Sequence, residues 1–198
     1  MIFAAGMGTR LKPLTDTMPK ALVRVGGEPL IKHVIQNLSE AGVDRIVVNV
    51  HHFAQQIIDY LTENDNFGLD IRISDESAGL LETGGGIKHA AQLFATDAPI
   101  LIHNVDILSN VDLRRFYQRA GGLLNADAST DVSAPTSADA PDALLLVSER
   151  KTQRYLLFDD TMRLVGWTNI ATGEVKSPYP DLDPKACRMY AFAGIHAL

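Results

Sequence analysis

Two glycines and two cations stand at fixed offsets close to the start of the chain. Gly6 and Gly8 lie in Ala4-Ala5-Gly6-Met7-Gly8-Thr9-Arg10, directly after a short apolar run, and Lys20 follows in Met18-Pro19-Lys20. Glycine is needed where backbone N–H groups converge on phosphate oxygens, because a side chain would block the approach and disfavour positive φ. A guanidinium matches phosphate bidentately, and a lysine ammonium is a compact charge that can follow charge moving through a transition state. The pattern therefore suits a bound polyphosphate. Two familiar phosphate loops are excluded: no Gly-Lys-Ser/Thr follows a four-residue gap, and Leu11 stands where the dinucleotide pattern has its third glycine. An isolated Gly-x-Gly reads more often as an ordinary strand-to-helix turn with surface Arg and Lys.

Two further segments carry candidate chemistry. In Glu82-Thr83-Gly84-Gly85-Gly86, consecutive glycines expose backbone at the head of a helix, where it could read a base edge or accept a phosphate. Thr83 is also a good N-cap residue, and both roles can hold together. In Asn104-Val105-Asp106, Asp106 ends an apolar strand, the place for a carboxylate that binds Mg²⁺ next to substrate phosphates; the alternative is an Asp that caps the following turn. His51, His52, His89 and His103 show no H-x-x-x-H or H-E-x-x-H spacing and read as structural. Arg154, Tyr155 and Trp167 suit either a sugar pocket or plain packing.

The elements that must position these segments alternate along the chain. Residues 1–5 read as a buried strand, and residues 29–38 as a helix with Pro29 in its first turn and Gly42 beyond its end. Residues 45–51 and 99–103 are β-branched or apolar strands, residues 69–73 alternate as a strand, and helices are expected at 53–62 and 87–94. This βαβ rhythm predicts an α/β fold, a three-layer α/β/α sandwich around a mixed, mostly parallel twisted sheet, with ligands beyond the carboxyl ends of the strands. Short strands resume at 143–147, 154–158 and 164–167 as an antiparallel layer, and residues 188–198 read as a last strand. One domain over 1–198 is expected. Residues 125–142 are too rich in Ala, Asp, Ser, Thr and Pro to pack a core, and read as a mobile surface loop.

With 46% hydrophobic and 21% charged residues in 198, the chain has a globular composition. A net charge of −6 argues against a nucleic-acid partner, and no apolar run approaches the roughly 20 residues of a membrane span. A single cysteine, Cys187, excludes an intrachain disulfide, and no secretory leader is expected at the N-terminus, so a cytoplasmic setting is expected.

The run AAGMGTRLKPLT followed by MPKALV resembles the signature of the sugar-phosphate nucleotidylyltransferases, and the likeness continues through PLIKHVIQNLSEAGVDRIVVNV, FGLDIRIS, LLETGGGIKHA, SERKTQRYLLFDD and LVGW. ETGGGI and RYLLFD look most like the bacterial uridylyltransferases that act on N-acetylmuramate 1-phosphate, with mannose-1-phosphate guanylyltransferases as near neighbours. The resemblance implies a Rossmann-like nucleotidyltransferase fold and the joining of a sugar 1-phosphate to a nucleoside triphosphate, UTP, with release of pyrophosphate, in cell-wall recycling. It implies triphosphate contacts from Ala5, Gly6, Met7, Gly8 and Thr9, with Arg10 on the departing phosphates and Lys20 between the α-phosphate and the sugar phosphate. Glu82, Thr83 and Gly84 would lie against the base, Asn104 would touch ribose or sugar, and Asp106 would bind Mg²⁺. The chain departs from the pattern at Val105, where relatives commonly have Gly. It also ends before the second metal-binding Asp, which is expected beyond Leu198, with Asp159 or another carboxylate as the alternative. A non-catalytic nucleotide-sugar sensor remains the reading from another class. Because changes in loop length add little closure entropy, deleting residues 125–142 should leave the thermal melting transition within a few degrees; loss of a cooperative transition would show that the segment is structural.

Overall fold

The computed structural model describes residues 1–95, 98–124 and 141–198; the segment expected as a surface loop lies outside the described residues except for Pro141 and Asp142. The described residues form two compact units, 1–144 with 196–198, and 145–195.

The first unit contains β1 (Ile2–Phe3), β2 (Arg24–Val25), β3 (Glu28–Pro29), α1 (Leu30–Glu40), β4 (Arg45–Val50), α2 (Ala54–Glu63), β5 (Asp70–Asp75), α3 (Glu82–His89), β6 (Leu101–Asn104) and α4 (Leu113–Leu124). Its sheet runs β6-β1-β4-β5, all parallel, with Ile2 beside Val48 and His103, and Arg45 beside Asp70. Successive strands proceed from β1 to β4 to β5, and β6 then returns to the other side of β1. That reversal is a topological switch point, where a parallel sheet opens a crevice at its carboxyl edge.

Local sequence explains these elements. Ile46, Val47, Val48, Asn49 and Val50 are all buried, as a strand covered on both faces requires. In α1 the buried Leu30, Ile31, Val34, Ile35 and Leu38 form one apolar stripe, and burying each such side chain fully contributes about 1.5–3 kcal/mol. Pro29 is the N-cap in extended backbone rather than a first-turn residue, because its N-terminal neighbours pair in the small β2–β3 ribbon. The helix ends at Gly42, whose φ of 92° carries the chain back so that Val43 N–H reaches Leu38 O at 3.0 Å. Arg114 of α4 donates to Ala41 O and Glu40 O, satisfying carbonyls that the end of α1 leaves over.

Under the sheet, Met1, Val47, Ala90 and Ile102 form a buried cluster with Ile87, Leu93 and Phe94 packed against it. The helix expected at 87–94 is displaced: α3 begins at Glu82 and ends at His89, and a 3₁₀ turn, Ala91–Leu93, follows. Three glycines inside α3 lower its intrinsic propensity, but Gly86 is buried in close contact and tertiary packing decides the register. Helix α4 was not anticipated, since its arginines and Gly121-Gly122 mask a stripe that buries only Leu113 and Ala120.

The second unit contains most of β7 (Leu144–Ser148), then β8 (Arg154–Phe158), β9 (Leu164–Asn169), β10 (Glu174–Lys176) and most of β11 (Arg188–Ala197), in the antiparallel order β10-β9-β8-β11. The expected strands are present, with β10 in addition. No helix among the described residues is long and apolar enough to cross a membrane.

Candidate active site

Beyond the carboxyl ends of β1, β4, β5 and β6 lies a cavity of about 420 Å³, lined from the opening turn by Ala5, Gly6 and Arg10, with Lys20 close by. From the sheet and the loops that follow it come Asn49, Glu76, Asn104 and Asp106; Leu80 with Glu82 and Thr83 of α3 completes it. Its size suits a small-molecule site. A second cavity of about 600 Å³ lies at the opposite, amino-terminal edge against Met1, Arg45 and Leu101; ligands of parallel sheets bind at the carboxyl edge, where the smaller cavity gathers Arg10, Lys20 and Asp106.

The opening turn is built by separable requirements. Gly6 is exposed and a Cβ there would meet nothing, so its backbone faces open space. Gly8 has φ 62°, and a Cβ would come within 2.9 Å of Thr15 Cγ2 and 3.0 Å of Lys20 Cβ. Thr15, buried, donates its hydroxyl to Gly8 O at 2.9 Å, and Leu11 N–H donates to the same oxygen. Gly8 thus serves the packing that brings Lys20 forward, and it does not line the cavity; nor do Met7, Thr9 and Gly84. Arg10 is exposed on the 3₁₀ turn Thr9–Leu11. Lys20 opens another, after Pro19, with its side chain mostly buried.

Lys20 Nζ donates to Asp106 Oδ2 in an ion pair that joins the opening turn to the segment after β6. Asp106 is held there by the strand before it. Val105 N–H donates to Phe3 O at 3.1 Å and Val105 is buried, so the residue that departs from the usual glycine extends the pairing of β6 with β1. His103 is buried, and its Nδ1 lies 2.8 Å from Asn104 O, which can only accept, so Nδ1 carries the proton.

Helix α3 presents its N-terminus to the cavity with no side-chain cap. Leu81 is the N-cap residue, Thr83 lies inside the first turn, and the capping role considered for Thr83 is not found. Glu82 takes a positive φ of 59° as the chain enters the helix. Leu81 N–H goes instead to Glu76 Oε2 at 3.2 Å, and Asn49 Nδ2 donates to Glu76 Oε1 at 2.8 Å. Asn49 Oδ1 in turn accepts from Ala4 N–H at 2.8 Å and Ala5 N–H at 3.3 Å. Neither Asn49 nor Glu76 was expected; the signal for Asn49 is one amide inside an otherwise apolar buried strand, where a polar group needs partners.

Asp106 faces the cavity as a hard oxygen donor, and no group of three His, Cys, Asp or Glu among the described residues could hold a metal alone. That donor set fits a magnesium ion, which is commonly held by one or two carboxylates together with substrate phosphates. Asp159, the alternative second carboxylate, has Oδ1 engaged by Thr161 N–H, Thr161 Oγ1 and Arg163 N–H, which close its own turn and pull its pKa below the usual range.

Fold and site together define an α/β protein whose parallel sheet carries, at its carboxyl edge, a cavity lined by Arg10, Lys20 and Asp106. The chain belongs to the nucleotidyl transferase family, whose pattern matches residues 1–137. It is 39% identical over 163 residues to N-acetylmuramate alpha-1-phosphate uridylyltransferase of Caulobacter vibrioides, the match covering 81% of this chain and 61% of that protein. It is 37% identical over 127 residues to mannose-1-phosphate guanyltransferase of Kluyveromyces lactis, covering 62% and 35% respectively. The chain thus spans about three fifths of the first relative and about a third of the second. Among solved structures, HddC from Yersinia pseudotuberculosis superposes with a TM-score of 0.69 at 22% identity, covering all of this chain and 74% of that one.

Burial lowers the His103 pKa from its ordinary 6.5. Below that value the unfolded chain takes up a proton that the folded chain refuses, so stability should fall as pH drops from about 6.5 toward 5. Urea midpoints across this range should fall less steeply for His103→Gln than for the wild type, with the buried His196, also lowered, supplying a remaining slope. Equal slopes would remove His103 as a source.

Proposed function

We propose that the protein joins a sugar 1-phosphate to a nucleoside triphosphate and releases pyrophosphate, with UTP and N-acetylmuramate 1-phosphate as the pair. The observation that carries this reading is the convergence of Arg10, Lys20 and Asp106 on one cavity at the switch point of a parallel sheet. Family membership and the name of the Caulobacter relative support it.

In the proposed reaction the sugar phosphate oxygen attacks the α-phosphorus in line, the bond from that phosphorus to the bridging oxygen breaks, and pyrophosphate leaves on the far side. Arg10, exposed at the rim, holds the departing phosphates through its planar fork. Lys20, fixed by Asp106, lies beside the α-phosphate where negative charge shifts. The backbone of Ala5 and Gly6 approaches the triphosphate, the start of α3 at Glu82 and Thr83 lies against the base, and Asn104 contacts ribose or sugar. Asp106 would hold Mg²⁺, which when bound neutralises phosphate charge and polarises the reacting phosphoryl group. The proposed setting is the cytoplasm.

Pyrophosphate release by the full-length protein, with UTP and GTP each against N-acetylmuramate and mannose 1-phosphates, tests this. UTP with N-acetylmuramate 1-phosphate should turn over fastest; the GTP and mannose pair leading would assign the guanylyltransferase reading that the Kluyveromyces relative suggests. Nucleotide-sugar binding without turnover in any pairing would leave a sensor instead. In the same assay Lys20→Ala should lower turnover by about a hundredfold or more, with the melting transition retained. Near-normal turnover would remove Lys20 from the reaction.

A further inference from the structure

Asn49 and Glu76 are buried polar side chains at 3% and 2% exposure, and both border the cavity. A buried amide and carboxylate cost desolvation unless their partners are in place, so what they bond to shows what they are for. Asn49 Oδ1 takes Ala4 N–H and Ala5 N–H at the point where the chain leaves the sheet after β1, standing in for a ladder carbonyl. Its Nδ2 donates to Glu76 Oε1, and Glu76 Oε2 takes Leu81 N–H at the N-cap of α3. Glu76 also shapes the helix beyond its first turn, since a Cβ on Gly86 would fall 2.7 Å from Oε1. A continuous chain of hydrogen bonds thus runs from the phosphate-facing turn, through two side chains, to the helix that faces the base.

We infer that Asn49 and Glu76 are positioning residues that set the gap between the opening turn and the N-terminus of α3, and thereby the affinity for the nucleotide. The inference rests on the proposed binding of a nucleoside triphosphate in this cavity. Neither side chain need touch the reacting atoms. Each fixes backbone proposed to meet the nucleotide, and the two act as a unit because the Asn49 Nδ2 to Glu76 Oε1 bond joins the two halves of the chain of bonds.

The donor and acceptor in this bridge can be exchanged. Asn49→Asp alone puts two carboxylates face to face. Glu76→Gln alone leaves one amide N–H₂ directed at a donor, either Leu81 N–H or Asn49 Nδ2. In the double variant the new carboxylate accepts from the Ala4 and Ala5 amides and from the new side-chain amide, whose oxygen accepts from Leu81 N–H. Calorimetric titration with UTP should show Kd weakened about tenfold or more in each single variant and regained to within about threefold of wild type in the double. KM for the nucleotide should follow, while KM for the sugar 1-phosphate stays near its wild-type value. Gly86→Ala, which displaces Glu76 without altering either side chain of the bridge, should weaken UTP in the same sense. Single variants that bind UTP normally, or a double variant no better than the weaker single, would overturn the bridge. Wild-type protein that binds UTP but transfers no nucleotidyl group would instead overturn the proposed reaction and leave the bridge to be judged by the titration.

Discussion

Everything at the site follows from the placement of β1, a strand of two residues held between two parallel neighbours. Parallel pairing forces β1, β4, β5 and β6 to deliver their following loops to one edge, and the reversal of strand order at β1 opens a crevice between the loop after β1 and the segment after β6. Because β1 is so short, the chain must leave the sheet at Ala4 with its amides still needing partners. Asn49 supplies one oxygen to both, and the turn that carries Gly6, Gly8 and Arg10 starts from that fixed point. Hydrophobic burial around Ile2, Val48 and Ile102 holds the strands, but it is directionless; the polar contacts at the rim decide where the turn is aimed.

The sequence made some of this legible and concealed the rest for identifiable reasons. Strands β4 and β6 are apolar runs bounded by polar turns, α1 is a clean amphipathic stripe, and the α/β class follows from their alternation. The opening turn was legible through the full run AAGMGTRLKPLT with MPKALV, since its Gly-x-Gly alone would pass for an ordinary turn. Its inner assignment was less so: besides the phosphate contact expected of it, Gly8 has a packing task, set by its positive φ and its closeness to Thr15 and Lys20. A glycine needed for close approach of a ligand and one needed for close approach of the chain itself look alike in one dimension.

The segment around α3 shows the same limit. Three consecutive glycines read as a turn on propensity, yet α3 runs straight through them because Glu76 lies where a side chain at Gly86 would be. Glu76 itself sits among Asp, Ser and Gly in a stretch that looks like solvated loop, so nothing local marks it as buried. Val105 illustrates the converse. It departs from a familiar pattern, but a β-branched residue there prolongs strand pairing with Phe3, and the carboxylate that follows still reaches the cavity.

The two cations of the site differ in a way that matches different tasks. Lys20 is mostly buried, its stem packed beside Gly8 and its ammonium held by Asp106, so most of the rotamer freedom that a lysine loses on ordering, about 1.5–2 kcal/mol, is already lost in the folded chain. A charge fixed in advance contributes fully where negative charge develops, because nothing has to reorganise during the reaction. Arg10 stands exposed on a short turn, able to follow a group that must leave. In the proposed transfer the α-phosphate stays within the forming bond and pyrophosphate departs. The proposal accordingly pairs the held cation with the first and the exposed fork with the second; the reverse pairing would either trap the product or leave the reacting phosphorus without a preorganised charge.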